Sequence, residues 1–425
     1  MTEFSALAPE ELQGLRASLM KRYAIICDRK LSLDITRGKP SPEQLDLSNR
    51  LLENVSSDDF RSPEGTDCRN YGGLDGLPEA KKLFADYMGV TPEEIIIGGN
   101  SSLNLMYDTF LRAMLHGVGN NPTPWCRQPA LKFICPSPGY DRHFSICEHL
   151  GIEMIPVAMT DEGPDMDAVE SLVAEDNAVK GIWCVPLYSN PTGAVYSDDT
   201  VDRLARMTTR ATDFRIFWDN AYAVHYFGEH PDSVRNILDA CKTAGNPDRP
   251  FLFGSTSKLT FPGAGLAMIA GSSANMAWVR SQLFFQTIGP DKINQLRHVL
   301  YFGDLEGIHN HMDKHAAILR PRFQAVQEIL TQELEGKGIA SWTRPRGGYF
   351  VSFDTSDGCA RTVVQMAAEA GVKLTPAGST YPLKKDPRDN NIRIAPTFAS
   401  VDDVRTAVEV LAICTQIVTI DQLLS

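Results

Sequence analysis

Between residues 94 and 270 one pattern recurs: a short apolar run, a cluster rich in Gly, Pro, Ser or Asn, and a helical stretch. The apolar runs are Glu94 to Ile97, Lys132 to Cys135, Ile152 to Val157, Gly181 to Leu187, Arg215 to Trp218, Phe251 to Phe253 and Leu266 to Ala270. Continuous rather than alternating apolar residues mark strands buried on both faces. Strand–helix alternation then predicts an α/β fold, a parallel sheet covered by helices. In such sheets ligands bind outside the carboxyl ends of the strands. The polar clusters of this region fall at those ends, which makes them one candidate site rather than several loops.

The cluster after Phe251 to Phe253 holds Ser255, Thr256, Ser257 and Lys258, followed by the glycines of Gly263-Ala-Gly265. Burial at a strand end lowers a lysine pKa, and an imine-forming amine needs that. The same stretch also reads as a surface loop with a solvated lysine, so the other clusters have to decide. Gly98-Gly-Asn-Ser-Ser102 ahead of a helix is a physical phosphate cradle. Pro136-Ser-Pro-Gly-Tyr140, Tyr188-Ser-Asn-Pro-Thr-Gly193 and Asp219-Asn-Ala-Tyr222 close three further strands. Upstream, Gly72, Gly73 and Gly76 crowd one loop and imply unusual backbone angles or ligand approach. Arg37-Gly38-Lys39-Pro40 reads either as close backbone access to a ligand or as an ordinary turn before a proline.

Residues 8–29 have helical spacing of Leu12, Leu15, Leu19 and Tyr23. Past residue 290 the chain becomes helix-rich. Strands are expected at Tyr349 to Phe353, Val372 to Thr375 and Asn391 to Pro396, with a last helix from Val401 to about Ile417. This predicts a smaller α+β domain against which the N-terminal segment packs. His311 and His315 share a helix face without an accompanying carboxylate, so a solvated face is expected there and no metal site. With 425 residues, 43% of them hydrophobic, the chain can bury a large core. A net charge of −12 argues against nucleic acid or an anionic membrane as partner. Nine scattered cysteines without a CxxC pair suit a reducing compartment. No signal-peptide core and no apolar run long enough to span a bilayer are evident, so the expected location is cytoplasmic.

Taken in chain order, Ser189-Asn-Pro-Thr-Gly193, Asp219-Asn-Ala-Tyr222 and Ser255-Thr-Ser-Lys258 resemble the strand-end motifs of the fold-type I pyridoxal-5′-phosphate (PLP) enzymes. Within these the chain is most similar to the class I/II aminotransferases, and among them to the bacterial subgroup Ic aspartate aminotransferases. The likeness runs from about residue 31 to 400. It implies a mostly parallel, seven-stranded central sheet covered by helices, plus a smaller α+β domain. The large PLP-binding domain would span 51–300, the small domain 301–425, with 1–50 contributing to the latter.

The resemblance also implies roles. Lys258 would form the imine with the cofactor and move the proton at the substrate Cα. Asp219 would hold the pyridine nitrogen protonated, and Tyr222 and Asn190 would bond the ring oxygen. Tyr140 would stack on the ring. Asn100, Ser101, Ser102, Ser255 and Ser257 would hold the phosphate, joined by Tyr71 from the neighbouring subunit of a homodimer. Arg393 would grip the substrate α-carboxylate, where a bidentate fork is preferred. Gly38 would close over the substrate, and Arg37 is favoured over Lys39, Arg142 and Arg297 for a distal carboxylate. The implied reaction is amino transfer from aspartate to 2-oxoglutarate. Aromatic or 2-aminoadipate-like donors, or a PLP lyase, share the motifs. Regulators with this fold carry a DNA-binding domain ahead of it, and only about 30 residues precede the first motif here. Most relatives place an arginine eight residues after the lysine; this chain has Gly263-Ala-Gly-Leu266 there. Lys292 is expected to supply the missing cation.

Overall fold

The computed structural model describes residues 2–119, 121–228 and 231–425. Its strands are β1 (Leu33–Asp34), β2 (Ile95–Ile97), β3 (Lys132–Ser137), β4 (Glu153–Thr160), β5 (Gly163–Pro164), β6 (Val179–Cys184), β7 (Arg215–Asp219), β8 (Pro250–Ser255), β9 (Ala267–Gly271), β10 (Ala340–Trp342), β11 (Val351–Thr355), β12 (Val372–Lys373) and β13 (Asn391–Ile394). The seven apolar runs between residues 94 and 270 become β2, β3, β4, β6, β7, β8 and β9.

The central sheet has the order β2-β9-β8-β7-β6-β3-β4-β5. Strands β4, β3, β6, β7 and β8 are parallel neighbours. Strand β9 runs antiparallel between β8 and β2. The sheet has eight strands rather than the expected seven. The eighth, β5, is a two-residue return of β4 through a turn in which Thr160 Oγ1 donates to the Gly163 carbonyl at 2.9 Å. Gly163 takes φ +125°, a conformation side-chain-bearing residues rarely adopt. Every residue of β6, β7 and β8 is buried, which is why these strands are apolar without alternation.

Strand order reverses at β3. The chain leaves β3 to form β4 on one side and returns with β6 on the other. The carboxyl ends of β3, β6 and β7 therefore flank the switch point where open sheets bind ligands. These ends lead to Tyr140, to Asn190 and to Asp219.

Beyond the central sheet, β10, β11 and β13 form an antiparallel sheet, and β1 pairs in parallel with β12. The helix Pro9–Asp28 buries Leu12, Leu19, Tyr23 and Ile26 in the same apolar cluster as the helices Leu305–Leu334 and Val401–Leu423. The last helix corrects one expectation. It is 23 residues long and apolar enough by composition to cross a bilayer. Its continuous run of buried residues from Val410 to Ile420 makes it a core helix of this bundle instead. His311 and His315 are a second correction. Both are buried, because their helix face lies against residues 41–48 and the loop after β8.

Candidate active site

Strand β7 ends on Asp219, which is 2% exposed. Its Oδ2 lies 3.1 Å from His143 Nε2. Its Oδ1 is buried and has no hydrogen-bond partner among the described residues. His143 is held flat on the Trp183 ring, at 4.2 Å between centroids and 7° between planes. The Tyr140 ring meets the His143 edge at 4.9 Å. A buried carboxylate with one idle oxygen is costly unless a donor or cation faces it.

Lys258 follows β8 in a loop folded back on itself. Thr256 N–H donates to the Leu266 carbonyl, and Leu266 N–H donates to Thr256 Oγ1 at 2.8 Å. His298, on the helix Lys292–Phe302, backs this loop with Nε2 at 3.2 Å from Thr256 Oγ1 and 3.0 Å from Thr260 Oγ1. Burial pushes the Lys258 amine below its ordinary pKa, and Asp219 opposes that shift. The amine sits 4.8 Å from the Tyr222 ring centroid and 5.9 Å from that of Tyr349. The Tyr222 phenol is pushed well up by burial, with Tyr140 and Asp219 adding to it.

The glycine stretch after Lys258 has a structural explanation. The Asn294 side-chain amide donates to the carbonyls of Ala264 and Gly265, at 3.0 and 2.9 Å. A Cβ at Gly265 would lie 3.1 Å from both the Phe261 carbonyl oxygen and Thr256 Oγ1. Backbone and amide contacts thus occupy the place expected of an arginine. The Lys292 amine is engaged elsewhere, donating to the Gly72 carbonyl at 2.7 Å. It braces the loop carrying Tyr71, where Gly72, Gly73 and Gly76 all take positive φ.

Around the phosphate-type cradle, β2 and β8 are separated in the sheet by β9, yet their ends meet beyond it. Gly98 N–H donates to the Ala267 carbonyl, and Ala267 N–H donates to that of Gly99. Ser257 Oγ donates to the Asn100 carbonyl at 3.1 Å. The helix Ser102–His116 starts there, and its N-cap Ser101 makes no side-chain capping bond. Asn100, Ser101, Ser102 and Ser257 thus gather at a helix N-terminus next to the buried Ser255.

Arg393 on β13 reaches the opposite side of the site. Its Nη1 donates to Asp141 Oδ1 at 2.9 Å and to Asn190 Oδ1 at 3.3 Å. Its guanidinium lies 4.8 Å from the Phe350 ring centroid. A Cβ on Gly38 would stand 2.4 Å from Phe350 Cζ. Overpacking at such a contact costs about 1–3 kcal/mol. Gly38→Ala is therefore expected to displace Phe350 and destabilise the fold by about that amount, as a denaturant or thermal melt would show.

Two expected residues stand apart. Tyr71 is 82% exposed, and Arg37 is exposed with no ion pair within 4 Å among the described residues. Sequence reasoning missed four residues that the structure brings in: His143, Asp141, Phe350 and Tyr349. His143 had a readable signal, since it lies one helical turn beyond Tyr140 on the helix Asp141–His149.

The fold and this cluster define a fold-type I enzyme of the aminotransferase kind. Residues 7–425 match the family profile described as aspartate amino-transferase, and the chain belongs to that family. An aspartate aminotransferase of Corynebacterium glutamicum is 45% identical, with 95% of this chain and 94% of that protein covered. A crystal structure of an aspartate transaminase from the same organism superposes with a TM-score of 0.97, at 44% identity over 99% of both chains. The α-aminoadipate aminotransferase of Thermus thermophilus, solved complexed with N-(5′-phosphopyridoxyl)-L-leucine, shares the fold at a TM-score of 0.72 and 21% identity, with 92% of this chain and 95% of that one covered.

The family's cofactor is pyridoxal 5′-phosphate, and the residues present fit it. The unpartnered buried oxygen of Asp219 suits a protonated ring nitrogen. The depressed Lys258 amine suits covalent attachment. The helix N-terminus at Ser102, flanked by serines, suits the phosphate.

Proposed function

We propose that this chain is an aspartate aminotransferase, converting aspartate to oxaloacetate and then 2-oxoglutarate to glutamate by ping-pong transfer. The observation that carries the reading is Asp219, with one oxygen on His143 and the other without a partner among the described residues, near the depressed Lys258 amine. The bound cofactor supplies an electron sink for the bond to the substrate Cα. Lys258 Nζ would carry the proton from the substrate Cα to the cofactor carbon in the first half-reaction, and from that carbon to Cα in the second. Asp219 would stabilise a proton on the ring nitrogen, with His143 keeping the carboxylate oriented. Tyr222 and Asn190 would hydrogen-bond the ring oxygen, and Tyr140 would cover the ring. Ser102, Ser255 and Ser257, with Ser101 and Asn100, would hold the phosphate through hydroxyl and backbone donors.

Arg393 binds the α-carboxylate common to amino acid and oxo acid, with Asp141 and Asn190 holding the fork in place meanwhile. Arg393→Lys keeps the charge but loses the planar fork. It is expected to raise the KM for both substrates by roughly 10–100-fold, with kcat less affected, as initial rates at varied substrate would reveal. Arg37 is the candidate for the distal carboxylate of aspartate, being exposed beside Gly38 and without an ion pair among the described residues.

In this reading residues 51–300 form the cofactor-binding domain, and 301–425 with 1–50 the smaller one. The active unit is a homodimer. Tyr71, on its braced and exposed loop, reaches the phosphate of the neighbouring subunit, and exposed Phe284, Phe285 and Ile288 supply apolar surface for the contact. Nine unpaired cysteines, seven of them buried, fit the reducing cytoplasm. Kinetics against a panel of amino donors tests the substrate assignment. Aspartate is expected to give the highest kcat/KM, and a strong preference for aromatic donors would overturn it.

A further inference from the structure

Behind Lys258 lies a chain of buried polar groups that the transamination steps do not use. Gln44, on the short helix Pro42–Asp46, is fully buried. Its Oε1 accepts from Ser41 N–H at 3.1 Å, which fixes the amide orientation, since a backbone N–H must meet an oxygen. Gln44 Nε2 therefore carries both donors. They point to His315 Nδ1 at 3.0 Å and to Tyr349 Oη at 3.1 Å. Tyr349 Oη is in turn 3.5 Å from the Lys258 carbonyl.

The direction of the next bond follows from this one. Burial keeps both imidazoles neutral, pushing His315 down to about 3 and His311 also down. A neutral His315 that accepts at Nδ1 carries its hydrogen on Nε2. That hydrogen faces His311 Nε2 at 3.0 Å. His311 presents its Nδ1 to Tyr301 Oη at 3.1 Å. Tyr301 completes the chain by donating to the Leu47 carbonyl at 2.7 Å. The chain starts and ends on residues 44–47, just past Gly38.

The Leu259 carbonyl oxygen sits 2.7 Å from His311 Nε2 and accepts hydrogen bonds from both imidazoles. Leu259 is the residue after Lys258. A His315 hydrogen on Nδ1 would face the Gln44 amide hydrogen and leave Nε2 with none to give. Gln44 is what excludes it.

We propose that Gln44, His315 and His311 are positioning residues for Lys258: Gln44 sets the His315 tautomer, and the imidazole pair sets how the peptide after Lys258 is held. The segment that follows the substrate-side Gly38 is thereby coupled to the backbone of the amine it serves. This rests on the role proposed above for Lys258.

Histidine-selective ¹⁵N NMR of the holoenzyme reads the tautomers directly. The expected result is His315 protonated on Nε2. Finding His315 protonated on Nδ1 in the wild-type protein would overturn the proposal without any variant. Gln44→Leu is expected to mix or exchange the tautomers and to lower kcat by roughly tenfold with little change in KM, since a small misplacement of a reacting group is costly. His315→Leu is expected to match that loss. His315→Gln, which can still accept from Gln44 and donate onward, retains most of kcat. Wild-type tautomers and kcat in Gln44→Leu, or equal impairment of His315→Gln and His315→Leu, would refute the coupling. If the reading of Lys258 itself is wrong, Lys258→Ala stays active; if only the coupling is wrong, Lys258→Ala is dead while Gln44→Leu turns over normally.

Discussion

Lys258→Ala is expected to lower the transamination rate by at least roughly 10⁴-fold, because one truncation removes both the nucleophile and the group that moves the Cα proton. The loop around it is held by Thr256, Leu266, His298 and Asn294, none of which uses the lysine side chain. The fold is therefore expected to survive, and so is cofactor retention through the serine cradle. The next lysine along the chain, Lys292, cannot stand in, since its amine is engaged by the Gly72 carbonyl. Single-turnover measurement with cofactor-loaded protein checks this, alongside a thermal melt. Retention of a substantial share of wild-type rate would remove Lys258 from the chemistry.

Asp219→Asn is expected to be the next most damaging change, lowering kcat by about 10²–10³-fold, the scale of losing one preorganised electrostatic contact to the reacting system. The substitution is nearly isosteric and leaves an oxygen or amide toward His143, so packing against Trp183 is preserved. What disappears is the negative charge that favours a proton on the ring nitrogen. Cofactor affinity is expected to fall as well, since Oδ1 has no other partner among the described residues. Equilibrium cofactor binding and steady-state kcat separate the two effects. An unchanged kcat would show that the ring nitrogen does not depend on this carboxylate.

The parts of the fold that were legible are those set by local pattern. Strands β6, β7 and β8 are buried on both faces, so their residues are apolar in succession and their ends were placed within a few residues. Ser197 caps the helix Asp198–Arg206 by accepting from Thr200 N–H, a residue type that marks helix starts in sequence. Strand β5 was not legible, because two residues folded back on an edge leave no periodicity. The pairing of β1 with β12 joins residues more than 330 apart in the chain, and no local signal encodes it.

At the site, Asp219, Asn190, Tyr222 and Lys258 end or follow neighbouring parallel strands, and the sheet topology brings these strand ends together. Their supports were not legible in that pattern. His143 reaches Asp219 across the switch point, and Asp141 meets Arg393 from a different part of the chain. The histidines at 311 and 315 show the same limit more sharply. Polar residues on one helix face suggested solvent, and only the packing of residues 41–48 against that face reveals them as buried. Lys292 was expected to replace a cation. The structure shows a loop that is fastened by Asn294 instead, with the lysine bracing the Tyr71 loop.

The central claim is that Lys258 carries the cofactor of an aspartate aminotransferase. The most direct measurement is the visible absorbance of the purified, PLP-loaded protein as aspartate and then 2-oxoglutarate are added. The account predicts a cofactor band that aspartate removes and 2-oxoglutarate restores, with the wild-type band missing from Lys258→Ala. A protein left colourless by PLP, or a band indifferent to aspartate, would contradict it.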